Sequence, residues 1–122
     1  MQKDYATKFI GKDVEVEIDR PVNSRHPEHG FVYELNYGFI PGTVAPDGEA
    51  VDAYLLAINV PVKFFKGKCI AVIRRENDDD DKVIVIPSGS ENIDDEGIME
   101  AVSFQEKFFK TVLVRRDKGA ND

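Results

Sequence analysis

Two β-prone runs flank an acidic turn in the stretch KCIAVIRRENDDDDKVIVIP, residues 68–87. Residues 68–75 and 82–87 are rich in Ile and Val, whereas residues 76–81 between them are mostly acidic. Two such runs joined by a short polar turn are typical of a β-hairpin. We therefore expect this hairpin to belong to a sheet that neighbouring segments extend.

Further strand patterns lie on both sides of the hairpin. Residues 12–18, KDVEVEI, alternate apolar and acidic side chains, which predicts a strand with one buried face. The aromatic run 31–39, the apolar run 51–60 and the short run 111–114 are further strand candidates. Pro and Gly residues between 41 and 48 indicate turns. The chain therefore has enough strand candidates for a small barrel.

One helix is predicted late in the sequence. Asp94 can cap its N-terminus, and Asp95 and Glu96 suit the positive end of the helix dipole. Helical spacing then relates residues whose apolar members we interpret as core contacts: Ile98, Ala101, Val102, Gln105, Phe108 and Phe109. Several short strands followed by one late helix predict a mainly β fold of the α+β class, a small closed β-barrel with one C-terminal helix.

Length and composition favour a single domain over residues 1–122. The 122 residues are typical of one domain, and 42% hydrophobic residues can form a core. The net charge of −7 argues against a nucleic-acid partner, since a nucleic-acid binder needs a basic face. Carboxylates can nevertheless hold divalent cations, which in turn bind phosphate oxygens.

The sequence predicts a cytoplasmic protein with no membrane partner. No apolar run approaches the roughly 20 residues that span a bilayer, and the N-terminus lacks the apolar stretch of a signal peptide. The one cysteine, Cys69, cannot form an intrachain disulfide, which fits a reducing compartment. Because Cys69 lies in an apolar run, we interpret it as a packed thiol.

The first candidate for chemistry is the segment DGEAVD, residues 47–52. It places three carboxylates, Asp47, Glu49 and Asp52, on a turn that leads into a strand. Gly48 permits a tight bend, so the two ends of the turn could converge. Hard cations such as Mg²⁺ take carboxylate oxygens together with water and phosphate. An ordinary Asp-Gly turn is the alternative that spacing alone leaves open.

The second candidate is the acidic turn that precedes Lys82. Four adjacent aspartates, residues 78–81, repel one another unless water or a cation compensates their charge. A solvated hairpin turn is an equally good interpretation. His26 and His29 form an H-x-x-H pair in a loop, but the further ligands that zinc needs are not evident nearby.

Several groups could bind phosphate. The cations Arg20, Arg25, Lys82 and Lys110 offer positive charge, and Tyr37 offers a hydroxyl donor. Taken singly, each cation is better interpreted as a surface charge, and Tyr37 as a strand residue.

Two segments resemble motifs of the soluble (family I) inorganic pyrophosphatases. NYGFIPGT at 36–43 is similar to the family pattern N-Y-G-[YF]-I, and DGEAVD at 47–52 is similar to D-G-D-P-[VIL]-D. Their order and separation make the resemblance specific, and it covers residues 14–115. It implies a closed, five-stranded, OB-like β-barrel with a magnesium site at its mouth.

The resemblance also implies site residues, position by position. The implied metal ligands are Glu17, Asp47, Asp52 and Asp80. The implied general base is Glu49, and our mechanistic hypothesis adds Asp52 as the alternative, so both are the expected catalytic residues. The implied substrate-binding residues are Arg25, Tyr37, Lys82 and Lys110. Mg²⁺ is the implied cofactor, and Mn²⁺ accepts the same kind of ligand.

The chain departs from the family pattern in several places. Phe109 stands at a family Tyr, Glu49 at a family Asp and Ala50 at a family Pro. A further metal-binding Asp of the family falls near Arg75 in an ungapped alignment, although Glu76 or Asp78 could replace it. A stretch before Arg25 is also largely missing. We therefore expect most of the metal site, with fewer groups that bind phosphate.

Together these features predict Mg²⁺-dependent hydrolysis of inorganic pyrophosphate to phosphate by metal-activated water. Hydrolysis of another small diphosphate and a non-catalytic barrel that binds a phosphate ligand are the alternatives. The acidic charge disfavours an OB-like nucleic-acid module. The expected partner is a small phosphate-containing substrate. A homo-oligomer is possible, because Phe64 and Phe65 could form either an interface or a core.

Overall fold

The computed structural model describes residues 4–76, 80–90 and 92–115. Within these residues the regular structure consists of six strands, one α-helix and a short 3-10 turn, Thr7–Phe9. The strands are β1 Asp13–Arg20, β2 Asn36–Ile40, β3 Val51–Leu55, β4 Phe64–Arg75, β5 Lys82–Ile86 and β6 Thr111–Val114, and the helix is α1 Asp95–Glu106.

Five of the strands close into a barrel. Their order is β1-β2-β3-β5-β4, and a further pairing of β1 with β4 completes the circle. All these pairings are antiparallel except β3–β5. Strand β4 is long enough to serve two neighbours, because residues 64–68 pair with β1 and residues 72–75 pair with β6. The predicted closed five-stranded barrel with one C-terminal helix is confirmed.

The hairpin at residues 68–87 is present as β4 and β5, with Ile73 opposite Lys82. Three strands differ clearly from the sequence prediction. Strand β2 begins only at Asn36, so the first part of the predicted run 31–39 lies outside the sheet strands. Strand β4 already begins at Phe64, because its first residues pair with β1. Strand β3 ends at Leu55, and the chain then leaves the sheet in a loop to which Asn36 Nδ2 donates hydrogen bonds at the carbonyls of Ile58 and Val60.

Alternation along the strands produces two hydrophobic cores. The barrel interior is filled mainly by Val14, Val16, Ile18, Val51, Ala53, Leu55, Val72, Val83 and Val85. The second core lies between the opposite face of the barrel wall and the helix. The wall contributes Tyr54, Ala71, Ile73 and Ile84, and the helix contributes Ile98, Val102 and Phe104. The helix-facing side of the wall is where the polar residues described below also lie.

The helix begins as the sequence predicts, but its apolar stripe ends earlier. Asp94 Oδ1 accepts a hydrogen bond of 2.8 Å from the backbone N–H of Gly97, which is the expected N-cap. Ile98 and Val102 are fully buried. Phe108 and Phe109 lie beyond the helix end at Glu106, with 62% and 42% of their surface exposed. They are therefore surface residues and not core contacts.

Two further sequence interpretations can be compared with the structure. Cys69 is fully buried, which confirms the packed thiol. Of the two adjacent aromatics on β4, Phe64 is 59% exposed whereas Phe65 packs against the barrel core. Among the described residues, no helix is long and apolar enough to cross a membrane.

Candidate active site

Lys82 brings two aspartates together on the helix-facing side of the barrel. The parallel register of β3 and β5 places Asp52 beside Lys82. The ammonium Nζ of Lys82 donates hydrogen bonds to Asp52 Oδ2 at 2.7 Å and to Asp80 Oδ1 at 2.8 Å. Only 3% of the Lys82 side chain is exposed. Carboxylates from two segments that are distant in sequence, strand β3 and the residues before β5, therefore converge on one buried cation.

Arg75 extends this arrangement toward the helix. Its Nη1 lies 3.0 Å from Asp80 Oδ2, and its Nε and Nη2 donate to the two carboxylate oxygens of Glu106 at 3.0 and 2.9 Å. We call the five residues Asp52, Lys82, Asp80, Arg75 and Glu106 the ionic chain. Its three carboxylates and two cations leave one net negative charge.

The two aspartates of the ionic chain differ in proton affinity. Burial raises the pKa of Asp52, and this effect outweighs the stabilisation of its charged form by Lys82. Burial acts in the same direction on Asp80, but Lys82 and Arg75 together outweigh it and lower the pKa of Asp80. Such a divergence within a pair often separates the group that takes a proton from the group that stays ionised.

Buried hydrogen bonds fix the ionic chain to the helix. Tyr54 donates its hydroxyl to Glu106 Oε2 at 2.6 Å and accepts from Gln105 Nε2 at 2.6 Å. The hydroxyl of Tyr33 donates to Gln105 Oε1 at 3.1 Å. Each member of this network thus has a partner, and such satisfied buried networks hold side chains in one geometry.

Tyr37 lies directly beside the lysine of the ionic chain. The Lys82 Nζ atom is 5.6 Å from the centre of the Tyr37 ring, a cation–π distance. Burial first, and then the charges of Asp52 and Asp80, raise the pKa of Tyr37 well above its usual value. Its hydroxyl therefore stays protonated and can act as a donor.

These residues border a cavity of about 640 Å³. Its cationic lining comes from Arg20, Arg75 and Lys82, and its acidic lining from Asp19 and Asp52. The remaining lining residues are Gln105 and seven aromatic side chains, namely His26, His29, Phe31, Tyr33, Tyr37, Phe108 and Phe109. Because Asp52 and Lys82 share a face with Tyr54 and Ile84, the cavity lies between the outer barrel wall and the helix, not at the barrel mouth.

Several residues that the resemblance implied do not line this cavity. Asp47 and Glu49 lie on an exposed turn, where Asp47 Oδ1 accepts from the Glu49 backbone N–H at 2.9 Å. Arg25 is exposed and donates to the carbonyl of Gly30 at 2.7 Å. Lys110 is exposed, and Glu17 is half-buried on β1. The structure thus brings together Tyr37, Asp52, Asp80 and Lys82 from the expected set. The functions of the others stay predictions.

Other cavity residues were not among the expected site residues. The sequence position of Arg75 could have pointed to the site, because it falls near a metal-binding Asp of the resembled family. So could that of Gln105, since it is the polar member of an otherwise apolar helical stripe. Tyr33 and Phe31 belong to an aromatic run whose pattern cannot distinguish a cavity wall from a strand.

The arrangement fits a divalent cation held by two carboxylates better than a cation held by three or more protein ligands. Asp52 and Asp80 already direct oxygens at one cationic atom, and Mg²⁺ usually takes one or two carboxylates with water and phosphate. No group of three or more potential ligands occurs in the described residues 4–76, 80–90 and 92–115. A bound cation at this pair would therefore require Lys82 to move aside.

Comparisons of the sequence with known proteins point to one family. The family model described as inorganic pyrophosphatase matches residues 9–116. The inorganic pyrophosphatase of Rickettsia prowazekii is 33% identical, over 91% of this chain and 77% of that protein. That of Gluconobacter oxydans is 34% identical over 63% of this chain, and the match spans about half of that protein, 49%.

Solved structures show the same fold. The inorganic pyrophosphatase from Ehrlichia chaffeensis has a TM-score of 0.66 and 21% identity, and the match covers 84% of each chain. The inorganic pyrophosphatase from Helicobacter pylori has a TM-score of 0.62 and 20% identity, over 94% of this chain and 89% of that one. At these identities the likeness supports the fold alone.

Proposed function

Because the chain belongs to the inorganic pyrophosphatase family, we propose that it hydrolyses inorganic pyrophosphate to phosphate in the cavity above the ionic chain. The family consists of metal-dependent diphosphatase enzymes, so the predicted family and enzyme class are confirmed. The observation that supports the site is the convergence of Asp52 and Asp80 on Lys82 beside Tyr37.

Phosphate binding is assigned to the donors that face the cavity. Lys82 supplies a compact positive charge, and Arg75, whose Nε and Nη2 bind Glu106, adds positive charge and its remaining N–H groups. Tyr37 adds a hydroxyl donor beside them. In a partly desolvated cavity these groups stabilise the negative charge that develops on the phosphoryl oxygens during hydrolysis.

The metal is proposed to be Mg²⁺, held by Asp52 and Asp80. When bound, the ion would lower the pKa of a coordinated water and offset phosphate charge. Lys82 would then leave the two carboxylates and bind a phosphate oxygen instead. The ionic chain has one net negative charge, so a bound Mg²⁺ would make the site net positive and favour an anionic phosphate.

Asp52 is proposed as the group that accepts the proton of the attacking water. It faces the cavity, and burial raises the pKa of its carboxyl, which makes it the better proton acceptor of the pair. In the metal-free arrangement Lys82 and Arg75 lower the pKa of Asp80, and Arg75 would remain beside it when Lys82 moves. The sequence also suggested Glu49 as the base, and its exposed position gives that alternative less support.

Phosphate release from pyrophosphate and Mg²⁺ tests this proposal. Asp52→Asn should lower the rate by about 10²–10⁴-fold, the usual contribution of a positioned acid or base. Asp13→Asn is the matched control, since Asp13 is an exposed residue at the start of β1. Absence of phosphate release by the unmodified protein, or an unchanged rate in Asp52→Asn, would refute the proposed activity.

A non-catalytic phosphate-binding barrel is the second candidate. It is favoured by one observation, namely that Lys82 and Arg75 already neutralise the carboxylates that a metal would need. Calorimetric titration with pyrophosphate, in the presence of a chelator and then of Mg²⁺, distinguishes the hydrolase from the non-catalytic barrel. Metal-independent binding without turnover would support the barrel and contradict the enzyme, whereas metal-dependent binding with turnover would do the opposite.

The remaining expectations stay proposals. A small phosphate-containing substrate is what the family implies. The cytoplasmic location, a single domain over residues 1–122, a homo-oligomer and the choice of Mg²⁺ over Mn²⁺ are predictions from the sequence and the resemblance.

A further inference from the structure

The cavity is larger than pyrophosphate requires. Its volume of about 640 Å³ falls in the range of roughly 300–1,000 Å³ that is usual for pockets of drug-sized organic ligands. The charged groups that suit phosphate account for only part of its lining. The other part needs a different explanation, because a pyrophosphate ion has no apolar surface.

Aromatic rings form that second part. We call His26, His29, Phe31 and Phe108 the aromatic wall, and all four line the cavity. The ring centre of Phe31 lies 4.8 Å from that of His26, 6.5 Å from that of His29 and 6.1 Å from that of Phe108. Phe108 is 62% exposed although its ring faces a cavity, so its apolar surface is available to a ligand.

The imidazole of His26 favours a neutral ligand group at the aromatic wall over a further phosphate. Its Nδ1 accepts backbone N–H bonds from Glu28 and His29, both at 3.1 Å, which fixes the ring. Burial and the neighbouring His29 lower the pKa of His26, so the neutral form is favoured. A fixed, neutral ring beside Phe31 offers a stacking surface.

A continuous row of rings joins the aromatic wall to the phosphate-binding groups. Tyr37, next to Lys82, is 5.5 Å from Tyr33, and Tyr33 is 5.4 Å from Phe31. Two rings, those of Tyr37 and Tyr33, thus lie in the row between Lys82 and the wall. A nucleotide joins its phosphates to a planar base through a ribose, so one ligand can contact both ends of this row.

We propose that the diphosphate bound in this cavity is a nucleoside diphosphate, with its phosphates at Arg20, Arg75 and Lys82 and its base stacked on the aromatic wall. The inference rests on the proposed function, because it assigns a substrate class to the same site. Stacking of a base on an aromatic side chain is sequence-tolerant, so the wall selects a planar heteroaromatic group and not one particular base.

Binding of two non-hydrolysable probes tests the inference independently of turnover. The probes are the α,β-methylene analogue of adenosine diphosphate and methylenediphosphonate, titrated calorimetrically into the full chain with Mg²⁺. The adenosine analogue should bind more tightly. Phe108→Ala should weaken it by at least about fivefold, the lower end of what one base–aromatic stack contributes. Phe31→Leu should do the same while nearly keeping side-chain volume.

Phe64→Ala is the matched control, because Phe64 is 59% exposed and does not line the cavity. It should leave the affinity for both probes unchanged, and methylenediphosphonate should bind all variants alike. Equal affinity of the unmodified protein for the two probes, or an adenosine-analogue affinity that is the same in Phe108→Ala and Phe31→Leu, would overturn the inference.

A parallel assay of phosphate release distinguishes a failure of this inference from a failure of the proposed function. Turnover of pyrophosphate without preference for the adenosine analogue would leave the proposed function standing and remove the nucleoside. Phe108-dependent binding of the analogue without turnover of pyrophosphate or adenosine diphosphate would remove the enzyme and keep the nucleoside-binding site.

Discussion

Arg75 and Glu106 form a two-point ion pair, with Nε 3.0 Å from Oε1 and Nη2 2.9 Å from Oε2. Only 9% of the Arg75 side chain and 2% of the Glu106 side chain are exposed. The pair joins β4 of the barrel wall to the last turn of the helix. Because an unpaired buried charge is costly, each residue depends on the other for its place in the fold.

Glu106→Gln should therefore destabilise the protein strongly. The substitution keeps the size of the side chain but leaves the guanidinium of Arg75 with only Asp80, whose side chain is 32% exposed, as a counter-charge. Removal of one partner of a buried ion pair costs about 3–5 kcal/mol in the free energy of unfolding. Urea denaturation followed by circular dichroism measures this change.

A control and a double variant check the cause. Glu100→Gln, at an exposed helix position, should change the free energy of unfolding by no more than about 0.5 kcal/mol. Arg75→Met combined with Glu106→Gln should be less destabilised than the sum of the two single variants, since no buried charge is then left alone. Simple additivity of the two effects would contradict the coupling.

Lys82→Met should tighten Mg²⁺ binding and at the same time slow pyrophosphate hydrolysis. Lys82 occupies the point where the oxygens of Asp52 and Asp80 converge, so its removal frees both carboxylates for a metal. An ion pair with partly exposed aspartates is worth up to about 1 kcal/mol, which corresponds to roughly a fivefold gain in Mg²⁺ affinity.

Calorimetric titration with Mg²⁺ alone measures that gain without any turnover. Lys66→Met, at an exposed position of β4, is the control and should not change the affinity. An Mg²⁺ affinity that falls in Lys82→Met would show that the two aspartates do not hold the ion.

Much of the fold could be predicted because its signals are local. The hairpin of β4 and β5 has two Ile- and Val-rich runs within 20 residues, and the helix has its cap at Asp94 directly before its apolar stripe. The stripe misled only at Phe108 and Phe109. Helical spacing continues there, but the rings line the cavity after the helix has ended.

The site could be predicted only in part, because its contacts are non-local. Asp52 and Lys82 were found through motifs, and the parallel register of β3 and β5 is what makes them neighbours. The pairing of Arg75 with Glu106 spans 31 positions and leaves no periodic trace in the sequence. The expected approach of Asp47 to this group depended on a bend, and the turn instead directs Asp47 toward its own backbone at Glu49.

Cys69 should be unreactive toward a disulfide reagent until the protein unfolds. Its side chain is fully buried, and burial raises the pKa of the thiol to about 12. Since the thiolate is the reactive form, only about one molecule in 10⁴ is reactive at pH 8 even before access is considered. Labelling in increasing urea should follow the unfolding curve measured by circular dichroism. Rapid labelling in the absence of urea would contradict the packed position.

Gly38→Ala should disrupt the barrel where β1 pairs with β2. A Cβ atom at Gly38 would lie 1.8 Å from the backbone carbonyl oxygen of Glu17, and a backbone atom cannot rotate away as a side chain can. Strand β1 is held on its other edge by β4, so it cannot shift to relieve the overlap. We expect a loss of about 3 kcal/mol or more in the free energy of unfolding, at or beyond the upper end of ordinary overpacking.

Gly30→Ala separates this steric effect from the general cost of replacing a glycine. Gly30 has a φ of 77° but no atom within 4 Å of the added Cβ, so only the left-handed backbone is penalised, by about 1–2 kcal/mol. In urea denaturation, the free energy of unfolding of Gly38→Ala should be clearly lower than that of Gly30→Ala. If the two were equally stable, the close approach of β1 to β2 would not be what requires glycine in the NYGFI segment, and the pairing that positions Tyr37 beside Lys82 would need another explanation.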